Sequence, residues 1–596
     1  MRKNNVSGIR SLIIPIGTLF ILIFTMFGIS SGQEKSGEVL RQLEKKDNVP
    51  KQMRSVIIQQ KEEKPKQGKE EKPQQSQEGD KYFIKWIRVE GATILDSQTI
   101  RDIIQSAIPP VPNTPVTLEK GDFVVNRNLS LYDMNQIAED ITAKYRKLGY
   151  ILAYAVLPQQ EISEGKLEVK VTEGKVGTIT VKGNKHYNTA FIQKHLEKVA
   201  KEKSPKGDDL ERPLYILNDY PSLNIKTQLK SGAKPGTADI VLDVQDSIPL
   251  SGSLSYDNFG ATTTSKNRLS ASLNIGNIAT DGDNLMLRGL TGLDSIDTNK
   301  LFYGKAEYVI PINYYGSKLG VYYSNAVYRV GEEYVLLDMK GKTDVAGIYV
   351  SHPVIRKPRQ TLEVKLGFDY EDLYDYMLDN MRSKDKIRTF TLGANYDFAD
   401  GFYGRNITNV TYYHGVRDFL GGSGQNDPDV SRYNADGEYN KYTFDFTRAQ
   451  QLPGYNHILL KASGQYSADS LFVAQQFMSG GAWSVRGFKP SSLSGDSGYL
   501  LSVELYLSPL YPETKIFNQK LGDTLKFVIF ADNGGVYKNN TQPGEDKAAY
   551  QTSLGLGLRL YYSKYFSFRL DWAVPNVGGS YEAKNSETYF QVTTSF

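Results

Sequence analysis

Few side chains of this sequence belong to the types that act as nucleophiles, acid–base groups or metal ligands. The 596 residues include no cysteine, which excludes thiolate chemistry, disulfides and Cys-ligated zinc. No G-x-S-x-G, H-E-x-x-H or G-x-x-x-x-G-K-S/T motif occurs, so signatures of a serine hydrolase, a zinc protease and a nucleotide-binding loop are missing. The five histidines, at positions 186, 195, 352, 414 and 457, are scattered, and we expect those at 186 and 195 to be structural. We therefore expect no enzymatic activity, no metal site and no cofactor.

Two short motifs could bring an arginine and a carboxylate together. The first lies in a long Gly/Ser-rich segment and consists of Val485, Arg486, Gly487 and Phe488. The second lies in an apolar segment further along the chain and consists of Phe530, Asp532 and Gly534. A guanidinium can bind a carboxylate through two parallel N–H···O bonds and so fix one segment against another. The alternative for Arg486 is a solvated loop residue, and for Asp532 a wall carboxylate without a fixed partner.

The segments that hold these motifs alternate between apolar and polar residues from Pro249 onward. The alternating segments are about 9 to 14 residues long, longer than most soluble strands. Tyr and Phe cluster at their ends, and short turns alternate with long polar loops, as in outer-membrane barrels. These features predict a transmembrane antiparallel β-barrel of sixteen strands over residues 248–596. A large soluble sandwich or propeller is the alternative.

The same alternation predicts which side chains face the barrel interior. On the predicted thirteenth strand the lipid-facing residues are Leu525, Phe527, Ile529 and Ala531. The side chains of the second motif then point into the lumen, where Asp532 could accept Arg486 from an inward-folded loop. Three other inward carboxylates, Asp369, Asp397 and Asp571, are expected to be ordinary pore lining.

The last strand ends in an aromatic residue. Its residues Phe590, Val592 and Phe596 share one face. Such an ending resembles the recognition signal of bacterial outer-membrane barrels. We therefore expect the barrel-assembly machinery to be a partner during biogenesis.

Composition is consistent with a barrel and excludes two other classes of protein. The chain has 71 basic and 67 acidic residues, a net charge of +4 that leaves no electrostatic footprint for nucleic acid. Beyond residue 30 no apolar run reaches about 18 residues, which excludes a membrane protein of several helices. Alternating strands average to a polar mean hydropathy, so the value of −0.43 does not exclude a barrel.

The N-terminal 80 residues read as targeting and linker sequence. Residues 1–32 combine basic residues, an apolar core and a small-residue exit, which predicts a cleaved signal peptide; an uncleaved membrane anchor is the alternative. Residues 33–80 are rich in Lys, Glu, Gln and Pro and predict a flexible linker. Within it, Val39, Leu40 and Leu43 could form the apolar stripe of a short helix.

Two small α+β modules are predicted between the linker and the barrel. Residues 81–174 and 175–247 each read as β-α-α-β-β, and the strand that ends at Gly91 is repeated by one that ends at Gly183. Ser130 and Asp133 form a capping box that marks the second helix of the first module.

This arrangement resembles the POTRA-plus-barrel superfamily. In that superfamily an I/V-R-G-F/Y motif on the sixth loop meets an F-x-D-x-G motif on the barrel wall. L-N-D-Y-P at 217–221 and G-T-A-D-I-V-L-D-V at 236–244 are similar to the second POTRA domain of the two-partner secretion transporters, the haemolysin and filamentous-haemagglutinin secretion pores. The resemblance implies paired POTRA modules and a 16-stranded barrel that an inward-folded sixth loop and an N-terminal plug helix obstruct at rest. Val39, Leu40 and Leu43 would belong to that plug helix.

The resemblance also implies a function and a location. We expect an outer-membrane pore of a Gram-negative-type bacterium, with its POTRA modules in the periplasm and its outer face against lipid. It would export an unfolded exoprotein, of the large β-helical adhesin or haemolysin type, without ATP. The alternatives are an assembly or insertase factor of the same superfamily, an outer-membrane enzyme and a passive porin. The sequence does not identify the exoprotein or the oligomeric state.

Overall fold

The computed structural model describes most of the chain beyond the predicted linker. The described residues are 80–112, 114–162, 164–294, 301–516, 518–541, 543–575 and 585–596. The predicted signal peptide (1–32) and the helix predicted around Val39, Leu40 and Leu43 lie outside these residues, and both stay predictions. No helix in the described ranges is both long and apolar enough to cross a membrane.

The first module is a five-stranded sheet covered by two helices. Its elements are β1 (Lys81–Glu90), α1 (Ser97–Ala107), β2 (Thr117–Glu119), β3 (Asp122–Ser130), α2 (Leu131–Lys147), β4 (Tyr154–Val156) and β5 (Lys166–Thr172). The strand order is β2-β3-β1-β5-β4. The predicted capping box at the start of α2 is confirmed: the Ser130 hydroxyl accepts from the Asp133 amide, and the Asp133 carboxylate accepts from the Ser130 amide at 2.8 Å.

The β2–β3 hairpin was not predicted from the sequence. The inward-facing residues of β3 include Phe123, Val125 and Leu129, but Arg127 occupies one inward position and interrupts the apolar alternation. Its guanidinium is buried because it donates to backbone carbonyls, those of Pro109 at 2.9 Å and Thr114. Because a polar side chain occupies an inward position, the hydrophobicity pattern of the sequence did not indicate a strand here.

The second module has the predicted element order. It contains β6 (Lys175–Lys182), α3 (Thr189–Ala200), α4 (Gly207–Leu217), β7 (Leu223–Ser231) and β8 (Thr237–Asp246). The sheet order is β6-β8-β7, with β6 parallel and β7 antiparallel to β8.

Sixteen antiparallel strands close into the predicted barrel, with β28 paired to β9. The remaining strands are β9 (Leu250–Asp257), β10 (Arg268–Gly276), β11 (Asn284–Gly292), β12 (Leu301–Pro311), β13 (Lys318–Arg329), β14 (Lys340–Lys357), β15 (Gln360–Met377), β16 (Asn380–Ala399), β17 (Gly404–Gly415), β18 (Tyr439–Gln451), β19 (His457–Tyr466), β20 (Phe477–Ser479), β21 (Leu493–Gly495), β22 (Ser497–Leu507), β23 (Lys515–Ile516), β24 (Gln519–Lys520), β25 (Leu525–Tyr537), β26 (Ala548–Tyr562), β27 (Phe566–Pro575) and β28 (Glu587–Ser595). The pairs β20–β21 and β23–β24 are short hairpins outside the barrel wall. A single turn of helix, α5 (Leu521–Thr524), precedes β25.

Three neighbouring strands exceed the predicted length. β14 and β15 have 18 residues each and β16 has 20, where about 9 to 11 residues suffice to span a bilayer. The expected alternation of short turns with long polar loops does not hold here, because β15 and β16 are joined by Leu378 and Asp379 alone, both at positive φ. The chain here continues its strand pairing beyond the membrane rather than leaving the sheet.

The second module is docked against the near end of the barrel by ion pairs. Arg356, at the end of β14, binds Asp219 through two hydrogen bonds of 2.8 and 2.7 Å. Next to it Lys357 contacts Asp208 at 2.6 Å, and the Arg212 guanidinium donates to the Val354 carbonyl at 3.1 Å. The helix α4 thereby lies against the turn that joins β14 to β15.

An aromatic contact supports the same joint. His195 on α3 is buried; its Nε2 lies 3.1 Å from the Tyr220 hydroxyl, and its ring packs edge-on against Tyr314 of the turn between β12 and β13. Burial lowers the pKa of His195 to about 4, so the imidazole is neutral at pH 7.

We predict that mild acid destabilises the second module. In the unfolded chain His195 binds a proton below about pH 6.5, whereas in the folded module it binds one only near pH 4. The free energy of unfolding therefore has its full value above pH 6.5 and falls as the pH drops. Between pH 7 and 5 the loss should be about 2 kcal/mol. Hydrogen exchange of α3 in the full chain, corrected for intrinsic rates, measures it. The His195→Gln variant should lose this pH dependence; an equal loss in the variant would contradict the assignment.

Candidate functional site

The 467–496 connection between β19 and β22 folds into the barrel. The β20–β21 hairpin stiffens it, and the first motif lies between these two strands, with Val485, Arg486 and Phe488 buried. The structure brings this motif onto the inner face of β25, where Phe530, Asp532 and Gly534 also point inward. The two segments singled out in the sequence are therefore in contact.

Arg486 and Asp532 form a buried bidentate ion pair. The Arg486 Nε donates to Asp532 Oδ2 at 2.7 Å, and its Nη2 donates to Oδ1 at 2.8 Å. The Arg486 backbone N–H also points to Asp532 Oδ2, at 3.2 Å. Ser502 on β22 donates to Asp532 Oδ1 at 2.7 Å. The carboxylate is therefore saturated by the loop and by the neighbouring strand, which fixes both the position and the orientation of the loop.

Two further carboxylates share the arginine. Glu504 Oε1 lies 3.0 Å from Arg486 Nη2, and Asp571 Oδ2 lies 3.5 Å from Nη1. Asp571 is in turn bound by Arg559 at 2.6 Å and by Arg569 at 2.7 Å. The result is a cluster of three arginines and three carboxylates on β22, β25, β26, β27 and the loop, which we call the charge cluster: Arg486, Glu504, Asp532, Arg559, Arg569 and Asp571.

The prediction that Asp571 is ordinary pore lining was wrong. It is fully buried and links the loop arginine to two wall arginines. The other two carboxylates of that set are outside the charge cluster: Asp397 pairs with Arg405 at 2.6 Å, and Asp369 accepts from the Tyr322 hydroxyl at 2.5 Å. The alternation of apolar and polar residues indicates that a carboxylate faces the lumen, but it does not indicate which neighbouring side chains the carboxylate contacts.

Glycines on β26 make room for the charge cluster. The Arg486 guanidinium lies 3.4 Å from the centre of the Phe530 ring, a cation–π contact. That ring occupies the space above Gly555, where a Cβ would come within 2.2 Å of it. Likewise a Cβ at Gly557 would meet Asp571 at 2.4 Å. Neither glycine was singled out in the sequence, although both alternate with outward-facing leucines.

The rest of the first motif is held by its backbone. Gly487 has φ +89°, and its N–H donates to the Tyr589 hydroxyl at 3.0 Å. That hydroxyl donates to the Phe488 carbonyl at 3.0 Å. On the other side Gly534 faces the loop so closely that a Cβ there would lie 2.9 Å from Val485. Tyr589, on the last strand, is a functional residue that sequence reasoning missed.

A second set of contacts holds the outer end of the loop. Asp496, fully buried, accepts from the backbone N–H groups of Leu471 at 2.8 Å and Asn539 at 2.6 Å. Arg432, in the connection from β17 to β18, also donates to Asp496, and it donates to the Asn539 carbonyl at 2.6 Å. Three connections are thus joined at the end of the barrel opposite the modules.

The C-terminal residues form the barrel seam. Phe596 exchanges two backbone hydrogen bonds with Gly252 of β9, at 3.0 and 3.2 Å, and its ring covers that glycine on the outer face. The Phe590 ring lies 5.5 Å from that of Tyr256 across the same seam. Val592 is the register partner of Tyr256. Their role as an assembly signal stays a prediction.

Comparison with known proteins assigns the family. Residues 236–560 match the haemolysin secretion/activation protein family ShlB/FhaC/HecB, and residues 116–174 match the ShlB-type POTRA domain. The chain belongs to the ShlB/FhaC/HecB family. It is an outer-membrane transporter of the two-partner secretion type, and its POTRA modules are periplasmic.

Curated relatives of the chain are transporters. It is 26% identical over 464 residues to the heme/hemopexin transporter protein HuxB of Haemophilus influenzae, covering 76% of this chain and 79% of HuxB. It is 27% identical over 386 residues to the outer membrane transporter CdiB of Dickeya dadantii, covering 63% of this chain and 66% of CdiB. The solved structure of CdiB from Escherichia coli covers 95% of this chain and is itself covered completely, with a TM-score of 0.73 at 19% identity, which shows the same fold. These relatives favour the secretion transporter over the assembly factor.

We predict that Arg486→Ala frees the 467–496 loop while the barrel still assembles. Removing one partner of a buried ion pair leaves uncompensated charge and costs about 3–5 kcal/mol, so the loop amides should lose protection in hydrogen exchange while those of β15 and β16 keep theirs. A matched control is Arg417→Ala, which removes a partly exposed pair with Asp436 and should change protection by less than about 1 kcal/mol. Equal protection in both variants would contradict a holding role for Arg486.

Proposed function

We propose that this transporter captures an unfolded exoprotein in the periplasm and passes it through the barrel to the cell surface without ATP. The observation that supports this most directly is the charge cluster, which holds the sixth loop against one side of the wall, on β22 and β25 to β27. A loop so fixed narrows the lumen without a covalent or catalytic role. The positive charge of Arg486 is neutralised by its carboxylate partners. We also propose that the chain is not an enzyme.

Capture would use the free edges of the module sheets. In the second module β7 pairs with β8 on one side only, and its last six residues, 226–231, are exposed. An extended polypeptide can add to such an edge through main-chain hydrogen bonds, which give affinity without demanding a particular sequence. Because the second module is joined to the barrel through Arg356 and Asp219, a segment bound there would lie beside the lumen entrance.

The cargo we propose is a large exoprotein of the β-helical adhesin or haemolysin type. One similar protein is named a hemolysin transporter, HpmB of Proteus mirabilis, 24% identical over 445 residues. Folding of the exoprotein outside the cell would supply direction. During biogenesis the barrel-assembly machinery would recognise the seam residues Phe590, Val592 and Phe596, and the outward apolar rows would contact lipid.

Comparing the secreted proteins of the host with and without this gene tests the function. Deletion should remove one large β-helical protein from the surface and medium and leave it in the periplasm, and the wild-type gene should restore it. Loss of many outer-membrane barrels instead would indicate an assembly factor, and an unchanged set of surface proteins would contradict export.

Complementation of the deletion with variants then tests which parts of the protein capture and export the exoprotein. A chain lacking residues 81–174 should assemble its barrel, seen as heat-modifiable mobility in electrophoresis, yet fail to bind or export the exoprotein. Arg486→Ala should also assemble but export poorly, whereas Arg417→Ala should export normally. Normal export by Arg486→Ala would remove the charge cluster from the mechanism, and normal export without residues 81–174 would place capture elsewhere.

A further inference from the structure

The 467–496 loop is attached to two opposite sides of the barrel. Its Arg486 end binds Asp571 of β27. Near its start, Gln475 donates from Nε2 to Glu371 Oε2 of β15 at 3.2 Å. β15 and β27 are eight places apart in the closed order of sixteen strands, so they face each other across the lumen. The loop therefore crosses the full width of the lumen.

The first part of the loop, residues 471–476, packs on inward-facing apolar side chains of the wall, and we call it the gate segment. Leu373 lies on the same face of β15 as Glu371, and Ile387 of β16 is the register partner of Glu371. Both are buried in one apolar cluster with Phe472. The other buried members of this cluster are Ala435, Tyr439, Leu471 and Ala474. Such an apolar constriction excludes water, so the gate segment closes the end of the lumen that lies opposite the modules.

Hydrogen bonds hold the gate segment in this position. Lys441 of β18 donates to the Gln475 Oε1, and Gln465 of β19 donates from Nε2 to the Gln475 carbonyl at 2.9 Å. The Val473 N–H donates to the Ser431 hydroxyl at 3.2 Å. The gate segment is thus held by its backbone and by one neutral amide side chain.

The two ends of the loop differ in what their release would leave unpaired. Arg486 would leave three carboxylates behind and would carry an unpaired charge into the lumen. Gln475 and Phe472 carry no charge, so the gate segment can leave the wall by exchanging its hydrogen bonds for bonds to water or to the main chain of another polypeptide. Release is therefore easier at the gate segment than at the charge cluster.

We propose that the gate segment closes the lumen at rest and leaves β15, β16 and β18 when an exoprotein passes, while the Arg486 end stays on the charge cluster. This inference rests on the proposed export function, and it assigns closure to one end of the sixth loop. The passing polypeptide then occupies the space that the gate segment vacates, along the inner faces of Leu373 and Ile387.

Thiol labelling on intact cells tests the closed state, because the chain has no cysteine. Without exoprotein, Leu373→Cys should resist a membrane-impermeant maleimide, whereas Leu378→Cys, on the exposed tip between β15 and β16, should react. Adding Phe472→Ser should raise labelling of Leu373→Cys to the level of Leu378→Cys. Adding Tyr433→Ser, which removes an exposed ring from the neighbouring 416–438 connection, should not.

Labelling of Leu373→Cys alone, or full protection in the presence of Phe472→Ser, would overturn the closed state. Heat-modifiable mobility checks that each variant barrel is folded. Because these measurements need no exoprotein, they decide the closed state even if the proposed export function fails.

The exported protein that the gene deletion identifies then tests the movement. While this protein is in transit, Leu373→Cys should become labelled. Ala573→Cys, which is buried beside Gly487 at the charge cluster, should stay protected. Labelling at both positions would show that the whole loop leaves the wall, and labelling at neither position during export would show that the gate segment stays; each result would overturn the proposal.

A cross-link at the gate segment gives the second test of movement. A reducible bifunctional thiol reagent that joins Glu371→Cys to Gln475→Cys should stop export, and reduction should restore it. The same variant treated with a monofunctional thiol reagent should export normally. Continued export with the cross-link formed would overturn the proposal.

Discussion

A buried guanidinium cannot be left without partners, and this constraint organises the inner wall of the barrel. Arg486 is 2% exposed, and moving its charge out of water is repaid only by close, well-oriented carboxylates. Asp532, Glu504 and Asp571 supply them from three different strands. Each of these strands must place its carboxylate within reach of the same guanidinium. The loop and the wall strands therefore have a single relative arrangement in which all the charges are paired.

The surrounding residues follow from this arrangement. Gly555 and Gly557 leave space for the Phe530 ring and the Asp571 carboxylate, and Tyr589 on the last strand holds the loop backbone. Arg569 extends the cluster to the loop by donating to the Ala482 carbonyl at 3.0 Å and lying over the Trp483 ring at 4.7 Å. The loop is therefore joined to the strands near the seam, and the wall on the far side, β12 to β17, contributes nothing to the charge cluster.

Structural features that follow from a repeating sequence pattern could be predicted, while contacts between residues on different strands of the barrel could not. Alternation predicted sixteen strands and the inward direction of Asp532, because side chains of a strand point to opposite faces in turn. It did not distinguish Asp571 from Asp397, since both are inward carboxylates and only the register of neighbouring strands separates them. It missed β3, where Arg127 takes an inward position, and the length of β14 to β16, where pairing continues beyond the bilayer.

We propose that the 467–496 loop, the sixth outer loop of the barrel, stays bound to the wall through the charge cluster while the exoprotein passes. The chain has no cysteine, and a Cβ on Gly534 of β25 would come within 2.6 Å of the Ser479 Oγ on β20, so cysteines at these two positions would lie in contact across the junction between the loop and the wall. The measurement is export by Ser479→Cys with Gly534→Cys, under oxidising and reducing conditions, in cells where bond formation is quantified. We expect export at the wild-type level with the bond reduced and the same level with the bond formed. Export that stops when the bond forms and resumes on reduction would show that the loop must leave the wall, and would contradict the proposal.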